Sequence, residues 1–179
     1  MNNIPEKVNA FNVYNTTNAG SGQGAKLIGI SEEVTLPDFE AITDTLSGPG
    51  ILGELESVAL GHFSSMEMEI PFRQMDKDMF TLAKQSTALN LTLRGSIQYT
   101  DGETGAMSFK PMRVVVRGRN KGLTGGKLKQ GSGTGSSIKL EISYILIEIG
   151  NVTMIELDKL NFVYKVDNTD LLEGVRGMC

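Results

Sequence analysis

The second half of the chain alternates apolar and polar residues with a period of two, and a helix cannot use that period. Leu91, Leu93, Gly95, Ile97 and Tyr99 alternate with Thr92, Arg94, Ser96, Gln98 and Thr100, which puts one set on each face of a strand. Asp101-Gly102 follows as a hairpin signal. The chain returns from Ala106 to Arg119 with Val114, Val115 and Val116 at the centre. A loop rich in Gly, Lys and Ser runs from Asn120 to Ser136. From Ser137 to Ile149, Ile138, Leu140, Ile142, Tyr144 and Leu146 share one face. Ile145, Ile147 and Ile149 make the other face apolar near the strand's end, so that end is expected to be buried on both sides. Gly150-Asn151 reads as a tight turn and Val152–Val166 as the partner strand. Strands longer than the usual five or six residues, joined by short turns, point to a mainly β fold: two packed antiparallel sheets or a partly open β-barrel.

The first half is less regular. Lys26–Leu36 reads as a strand ended by Pro37, which cannot donate to a ladder. Residues 38–63 sustain neither period and read as a long loop, with a short helical turn near Glu54–Leu60. Met66, Met68, Ile70 and Phe72 form one strand face against Glu67, Glu69 and Arg73. Asp76 then fits a helix N-cap, with Asp78 in the first turn, and this predicts one α-helix over about 76–88. Residues 167–179 read as a polar, partly mobile tail. The whole of 1–179 is expected to form one domain.

Charge is segregated along the chain. From Ser31 to Phe72 there is no Lys or Arg, but Glu32, Glu33, Asp38, Glu40, Asp44, Glu54, Glu56, Glu67 and Glu69 are present. From Thr104 to Leu140 there is no acid, but Lys110, Arg113, Arg117, Arg119, Lys121, Lys127, Lys129 and Lys139 are. Two readings are open. The segments neutralise each other within one fold, or the basic surface of one copy meets the acidic surface of another. The net charge of −4 gives no general attraction for nucleic acid or anionic membranes. No stretch approaches the roughly 20 apolar residues of a membrane-spanning helix. The first ten residues do not resemble a secretory signal, so a cytoplasm-like compartment and no membrane anchoring are expected.

Catalytic and metal chemistry find little material. His62 is the one histidine and Cys179 the one cysteine. A zinc site would want three or four such ligands. His62 stands between Gly61 and Phe63 and reads as a loop or interface contact rather than a general base. Gly125-Gly126-Lys127 resembles the end of a phosphate-binding loop, but Leu128 replaces the hydroxyl residue and Lys121 the first glycine. Gly20–Gly24 and Gly131–Gly135 lack dinucleotide-fold spacing. The carboxylate pairs Glu32/Glu33 and Glu67/Glu69 read as solvated faces. One aromatic, Phe109, in the basic segment gives base stacking little support. No catalytic residue, metal or cofactor is expected.

Several motifs, in order along nearly the whole chain, carry a family resemblance. They are Phe11-Asn12-Val13-Tyr14, Leu27–Pro37 ending in Val34-Thr35-Leu36-Pro37, Ser47-Gly48-Pro49-Gly50 and Val114–Arg119. Further on come Lys129-Gln130-Gly131, Lys139–Tyr144, Glu156–Asn161, Lys165-Val166 and Asp170-Leu171. The pattern resembles the major tail tube proteins of contractile-tailed phages and phage-tail-like bacteriocins. Glu156-Leu157 replaces the family's Glu-Ile, Asn168 replaces a Gly, and the Asn15–Gly24 insert is longer, which leaves the subfamily open. The ring-forming tube protein of type VI secretion stays an alternative, as does a small-ligand-binding β-barrel of lipocalin type. The resemblance implies a structural, non-enzymatic subunit of the tail-tube fold in a virion tail or tail-like particle, assembled in the bacterial cytoplasm. It implies rings of six subunits, closed by edge strands, that stack into a hollow inner tube with an acidic lumen. The implied partners are further copies of the chain, a tail sheath protein, baseplate and tail terminator proteins, and a tape-measure protein or DNA in the lumen without sequence-specific binding. Asp38, Glu40, Asp44, Glu54, Glu56 and His62 are the expected interface residues on the acidic side, with Arg117, Arg119, Lys127 and Lys129 as their basic complement.

Overall fold

The computed structural model describes residues 3–19, 22, 24–31 and 33–178. Glu32, Cys179 and part of the Gly20–Gly24 loop, singled out above, lie outside the described residues. The order is β1 (Asn3–Asn15), β2 (Ala25–Lys26), β3 (Ala41–Leu46), β4 (Leu55–Phe63), β5 (Glu67–Phe72), α1 (Lys77–Leu82), β6 (Leu89–Asp101), β7 (Met107–Thr124), β8 (Ser136–Ile149), β9 (Val152–Asp158), β10 (Val163–Val166), β11 (Thr169–Asp170) and α2 (Glu173–Arg176). All pairing is antiparallel. One large sheet runs β11-β10-β9-β8-β7-β6-β1-β2, with β5 also on β8, and β3–β4 form a separate two-stranded sheet. The fold is therefore mainly β with two antiparallel sheets, as the alternation requires.

β8 organises the large sheet. Its first half pairs with β5 (Glu67 opposite Glu141, Phe72 opposite Ser136), and its second half pairs with β9. The sheet curls over a core of Val13, Leu27, Met68, Ile70, Phe72, Met79, Leu82, Leu91, Leu93, Val114, Val116, Ile138, Leu140, Ile142, Ile145 and Leu157, all buried. Each such side chain contributes about 1.5–3 kcal/mol by leaving water. The predicted strand over Lys26–Leu36 is mostly not regular strand. Gly29, at φ +83, turns the chain, and the segment then lies along β5, with Ile30 opposite Phe72 and Thr35 opposite Glu69. It spans the gap between β1 and β5 without closing the barrel.

Five other expectations change. Residues 38–63 are no loop: the expected helical turn is strand β4, and β3 with β4 makes a hairpin. The helix starts at Asp76 as expected, whose side chain accepts from Lys77 N at 2.7 Å, but ends at Leu82 instead of Ala88. Ser86 and Thr87 are weak helix formers, Leu89 enters the sheet, and the buried Asn120 amide donates to the Leu82 carbonyl at 3.2 Å, satisfying the helix end. The predicted strand Val152–Val166 breaks after Asp158, whose carboxylate accepts from Leu160 N and Asn161 N at 3.0 Å each and forces a turn. The polar tail is folded into β11 and α2, with Leu172 buried. In β8, Ser143 is skipped in the pairing with β7 (Tyr144 opposite Arg117, Ile142 opposite Gly118). This bulge switches the inward phase, so Ile145 and Ile147 follow Ile142 into the core and Tyr144 and Leu146 turn out.

Candidate functional site

The β3–β4 hairpin is an arm. Its strand residues are exposed or half-buried, and Ile42, Leu46, Ile51, Leu52, Leu55, Val58 and Leu60 all present apolar surface. Leu52, at the tip, is fully exposed. Exposed apolar side chains in a cluster of this kind mark interaction surfaces. The same arm carries Asp44, Glu54 and Glu56, with Asp38 and Glu40 just before it, all exposed. None of these carboxylates has an ionic partner among the described residues. The arm's root is fixed. Phe63 stacks edge-on with Phe39 at 6.2 Å and Tyr164 at 5.1 Å. Lys159 Nζ donates to the Ser64 carbonyl at 2.8 Å, and burial lowers the Lys159 pKa.

His62 lies at this root, exposed. Beside it is a depression of about 200 Å³ lined by Leu60, Phe63, Lys159, Phe162 and Leu172 among others. His62 has no hydrogen-bond partner among the described residues, and no group of three or more metal-ligating side chains occurs among them.

The basic segment divides. Lys121 is neutralised at home, with its ammonium 2.5 Å from Glu67, 3.1 Å from Glu141 and 3.1 Å from the Ser65 hydroxyl. Those carboxylates raise the Lys121 pKa. Burial pushes the Glu141 carboxyl up, but Ser65 and Lys121 outweigh it and the net shift is downward. Lys139 lies 4.0 Å from Glu69, whose other oxygen accepts from Ser137 at 2.6 Å. Acidic and basic segments thus meet within the chain at β5. Arg117 stacks over the Tyr144 ring at 4.3 Å. Burial, with Glu156 beside it, raises the Tyr144 hydroxyl to about 12. Arg119, Lys127 and Lys129 are exposed, the two lysines in a loop that also exposes Leu128. That loop is tied to the end of β5, where Thr134 N donates to the Arg73 carbonyl at 2.8 Å.

Arm and loop therefore sit at opposite ends of β5, the arm at Ser64 and the loop at Arg73. That is about 30 Å of extended chain at roughly 3.3 Å per residue. The lateral edges of the large sheet are also distinct. On its outer side β1 pairs with β2 only at Tyr14 and Asn15, and Val13 accepts from Leu27 N. The outer edge from Asn3 to Asn12 is unpaired among the described residues. The opposite edge is the short β11.

The apolar residues of the arm are present in the sequence, but no period-two face marks them as strands: Leu55 and Val58, for instance, lie three apart. Arg94 and Asp167, on the polar face and at the far edge of the large sheet, carry no local motif.

Comparison with known proteins identifies the family. The family model described as phage tail tube protein FII matches residues 5–178. The chain is 30% identical over 178 residues to the tail tube protein of Escherichia phage P2, covering 97% of this chain and 96% of the relative. It is 26% identical over 169 residues to the major tail tube protein of Serratia phage KSP20, covering 94% and 91%. Among solved structures, the sheath/tube terminator of an extracellular contractile injection system, PVC, superposes with a TM-score of 0.52 at 12% identity, over 80% of this chain and 96% of that one. This last likeness concerns the fold. With nearly the whole chain matched by the family model and by a relative covered over 96% of its own length, the protein belongs to the phage tail tube protein family.

Proposed function

We propose that the chain is the repeating subunit of the inner tube of a contractile tail, closing into rings of six that stack head to tail around a hollow conduit. The observation that carries this reading is the polarity of β5: an acidic, apolar arm leaves one end, and a basic loop with exposed Leu128 is tied to the other. Surfaces that differ at the two ends make heterologous contacts, and such contacts propagate. In this arrangement Asp38, Glu40, Asp44, Glu54, Glu56 and His62 of one ring face Arg119, Lys127 and Lys129 of the next, and Arg117 stays stacked on its own sheet.

Laterally, the open edge of β1 and the β9–β11 edge of a neighbour extend the sheet around the ring. Closure removes an edge that would otherwise invite aggregation. The polar face of the sheet, uncovered by β5 and α1, lines the conduit. The role is structural, in a virion tail assembled with sheath, terminator and baseplate proteins in the host cytoplasm, and the subunit acts on no substrate. The phage origin of both curated relatives favours passage of DNA over a DNA-free particle.

Negative-stain electron microscopy of the purified protein across a concentration series tests this. Rings or hollow tubes of uniform width are expected. Monomers throughout, even with a baseplate fraction added as a nucleus, would refute it.

A further inference from the structure

One cross-sheet row lies between two unpaired charges of opposite sign, Arg94 within it and Asp167 beside its far end. Asn12 on β1 lies opposite Arg94 on β6, Arg94 opposite Arg113 on β7, Arg113 opposite Glu148 on β8, and Glu148 opposite Thr153 on β9. The paired row ends at Thr153; next to it Met154, skipped in the pairing with β8, accepts at its carbonyl from Asp167 N at 2.8 Å, so Asp167 lies one residue beside the row's far end. Arg94 and Arg113 stand directly across from each other, an arrangement that costs stability unless both charges are answered. Arg113 is answered: Glu148 accepts from its Nε at 2.6 Å and its Nη2 at 3.0 Å. Arg94 is not. Its guanidinium stacks over Tyr14 at 5.4 Å but meets no carboxylate among the described residues. Its Nε is buried without an acceptor. Asn90 Oδ1, on the same face of β6, is the other buried side-chain atom without a partner among the described residues. A buried donor left unsatisfied costs about 1–3 kcal/mol.

The other end of the row mirrors this. Asp167 sits in the β10–β11 turn with Asn168, at φ +48 and +60, a conformation that turns a hairpin in two residues. Its carboxylate is exposed and has no partner among the described residues. Arg94 is one strand in from the open β1 edge, and Asp167 is at the opposite edge.

We infer that Arg94 receives the Asp167 carboxylate of the laterally adjacent copy, so that the charged row continues from subunit to subunit. The inference rests on the ring reading and adds to it a residue pair that selects the lateral register. Asn12, across from Arg94 on β1, has a short side chain, and the Arg94 guanidinium lies over the Tyr14 ring of the same edge strand. The ion pair forms only when the two edges align, so a copy shifted along the edge leaves both charges unmatched.

Charge reversal tests this. R94E and D167K are each expected to fold as monomers with unchanged circular dichroism, yet to need about tenfold more protein for rings or tubes, the equivalent of one lost ion pair of about 1.4 kcal/mol. R94Q, which adds no new charge beside Arg113, is expected to show the same shift. The doubly reversed chain R94E/D167K is expected to assemble close to wild type, because each interface again holds one charge of each sign. Wild-type assembly by D167K beside a defective R94Q would overturn the pairing, since Arg94 would then answer to a different anion. Normal assembly of all the variants would overturn it outright. Absence of rings in the wild type would overturn the ring reading and this pairing together, whereas wild-type rings with indifferent variants overturn the pairing alone.

Discussion

Leu172 of the C-terminal segment lies directly over Gly61 in the arm: its nearest methyl carbon would stand 2.7 Å from a Cβ added at Gly61. Gly61 is also at φ +76, where an L side chain is strained. The arm's last turns are thus clasped by the end of the chain. Gly61→Ala should cost about 1–3 kcal/mol from backbone strain and displacement of Leu172. For a chain of this length that lowers the melting temperature by about 3–10 °C. A calorimetric scan reads it directly, and an unchanged midpoint would mean that Leu172 moves aside freely.

The arm itself contributes contacts to neighbours more than to its own fold. Thr43 and Val58 are direct partners across the hairpin, so residues 44–57 can be replaced by Asn-Gly without disturbing the root. The shortened chain should melt within about 2 °C of wild type, because exposed positions seldom carry more than about 0.5 kcal/mol. It should stay soluble and fail to form tubes under electron microscopy. Tubes of ordinary width from this variant would place the stacking contact elsewhere.

Much of the sheet was legible because burial enforces alternation. Met68, Ile70 and Phe72 are fully buried, as their spacing demands, and Leu91 and Leu93 follow suit. The Gly150-Asn151 turn also holds, both residues lying at positive φ. The arm was illegible for the converse reason. No core covers β3 or β4, so no face of theirs is purely apolar, and period-two reasoning finds nothing to count. The phase of β8 failed at one residue, since a bulge at Ser143 leaves no mark in a run where both faces are apolar. Arg94 and Asp167 are 73 positions apart in sequence, and only the register across the sheet brings Asp167 within a residue of the row that holds Arg94.

That bulge makes a sharp forecast. Ser143 is the extra residue that lets Ile142 and Ile145 both face inward. Deleting it would close the bulge and leave Ile142, Tyr144, Ile145, Leu146 and Ile147 in strict alternation, with Ile145 and Ile147 still facing the core. The deletion should keep a cooperative thermal transition and protease resistance, losing the hydrogen bond from Lys159 N to the Ser143 carbonyl. Ser143→Ala keeps the chain length and loses only a 3.3 Å hydrogen bond to the Arg117 carbonyl, so it should cost no more than about 1 kcal/mol. If the deletion fails to fold, the bulge's own twist and contacts, and not the phase alone, hold β8 in place.

The C-terminal clasp should loosen in acid. Arg176 donates to the Asp170 carboxylate and, at 2.7 Å, to the Phe162 carbonyl. The Arg176 hydrogen bond holds the Asp170 carboxyl below its ordinary value of 3.8. A depressed carboxyl contributes stability that is present above the unfolded value and is lost as pH falls through the folded one. Arg176 stays charged throughout, so the change belongs to Asp170. Amide exchange across Leu171–Met178 should therefore be constant from neutral pH down to the ordinary aspartate value, after correction for intrinsic rates, and should rise only below it. Asp170→Asn should show the loosened behaviour at neutral pH and no further acid step in this segment. Protection in Asp170→Asn equal to wild type would show that Leu172, seated on Gly61, holds the clasp without the ion pair.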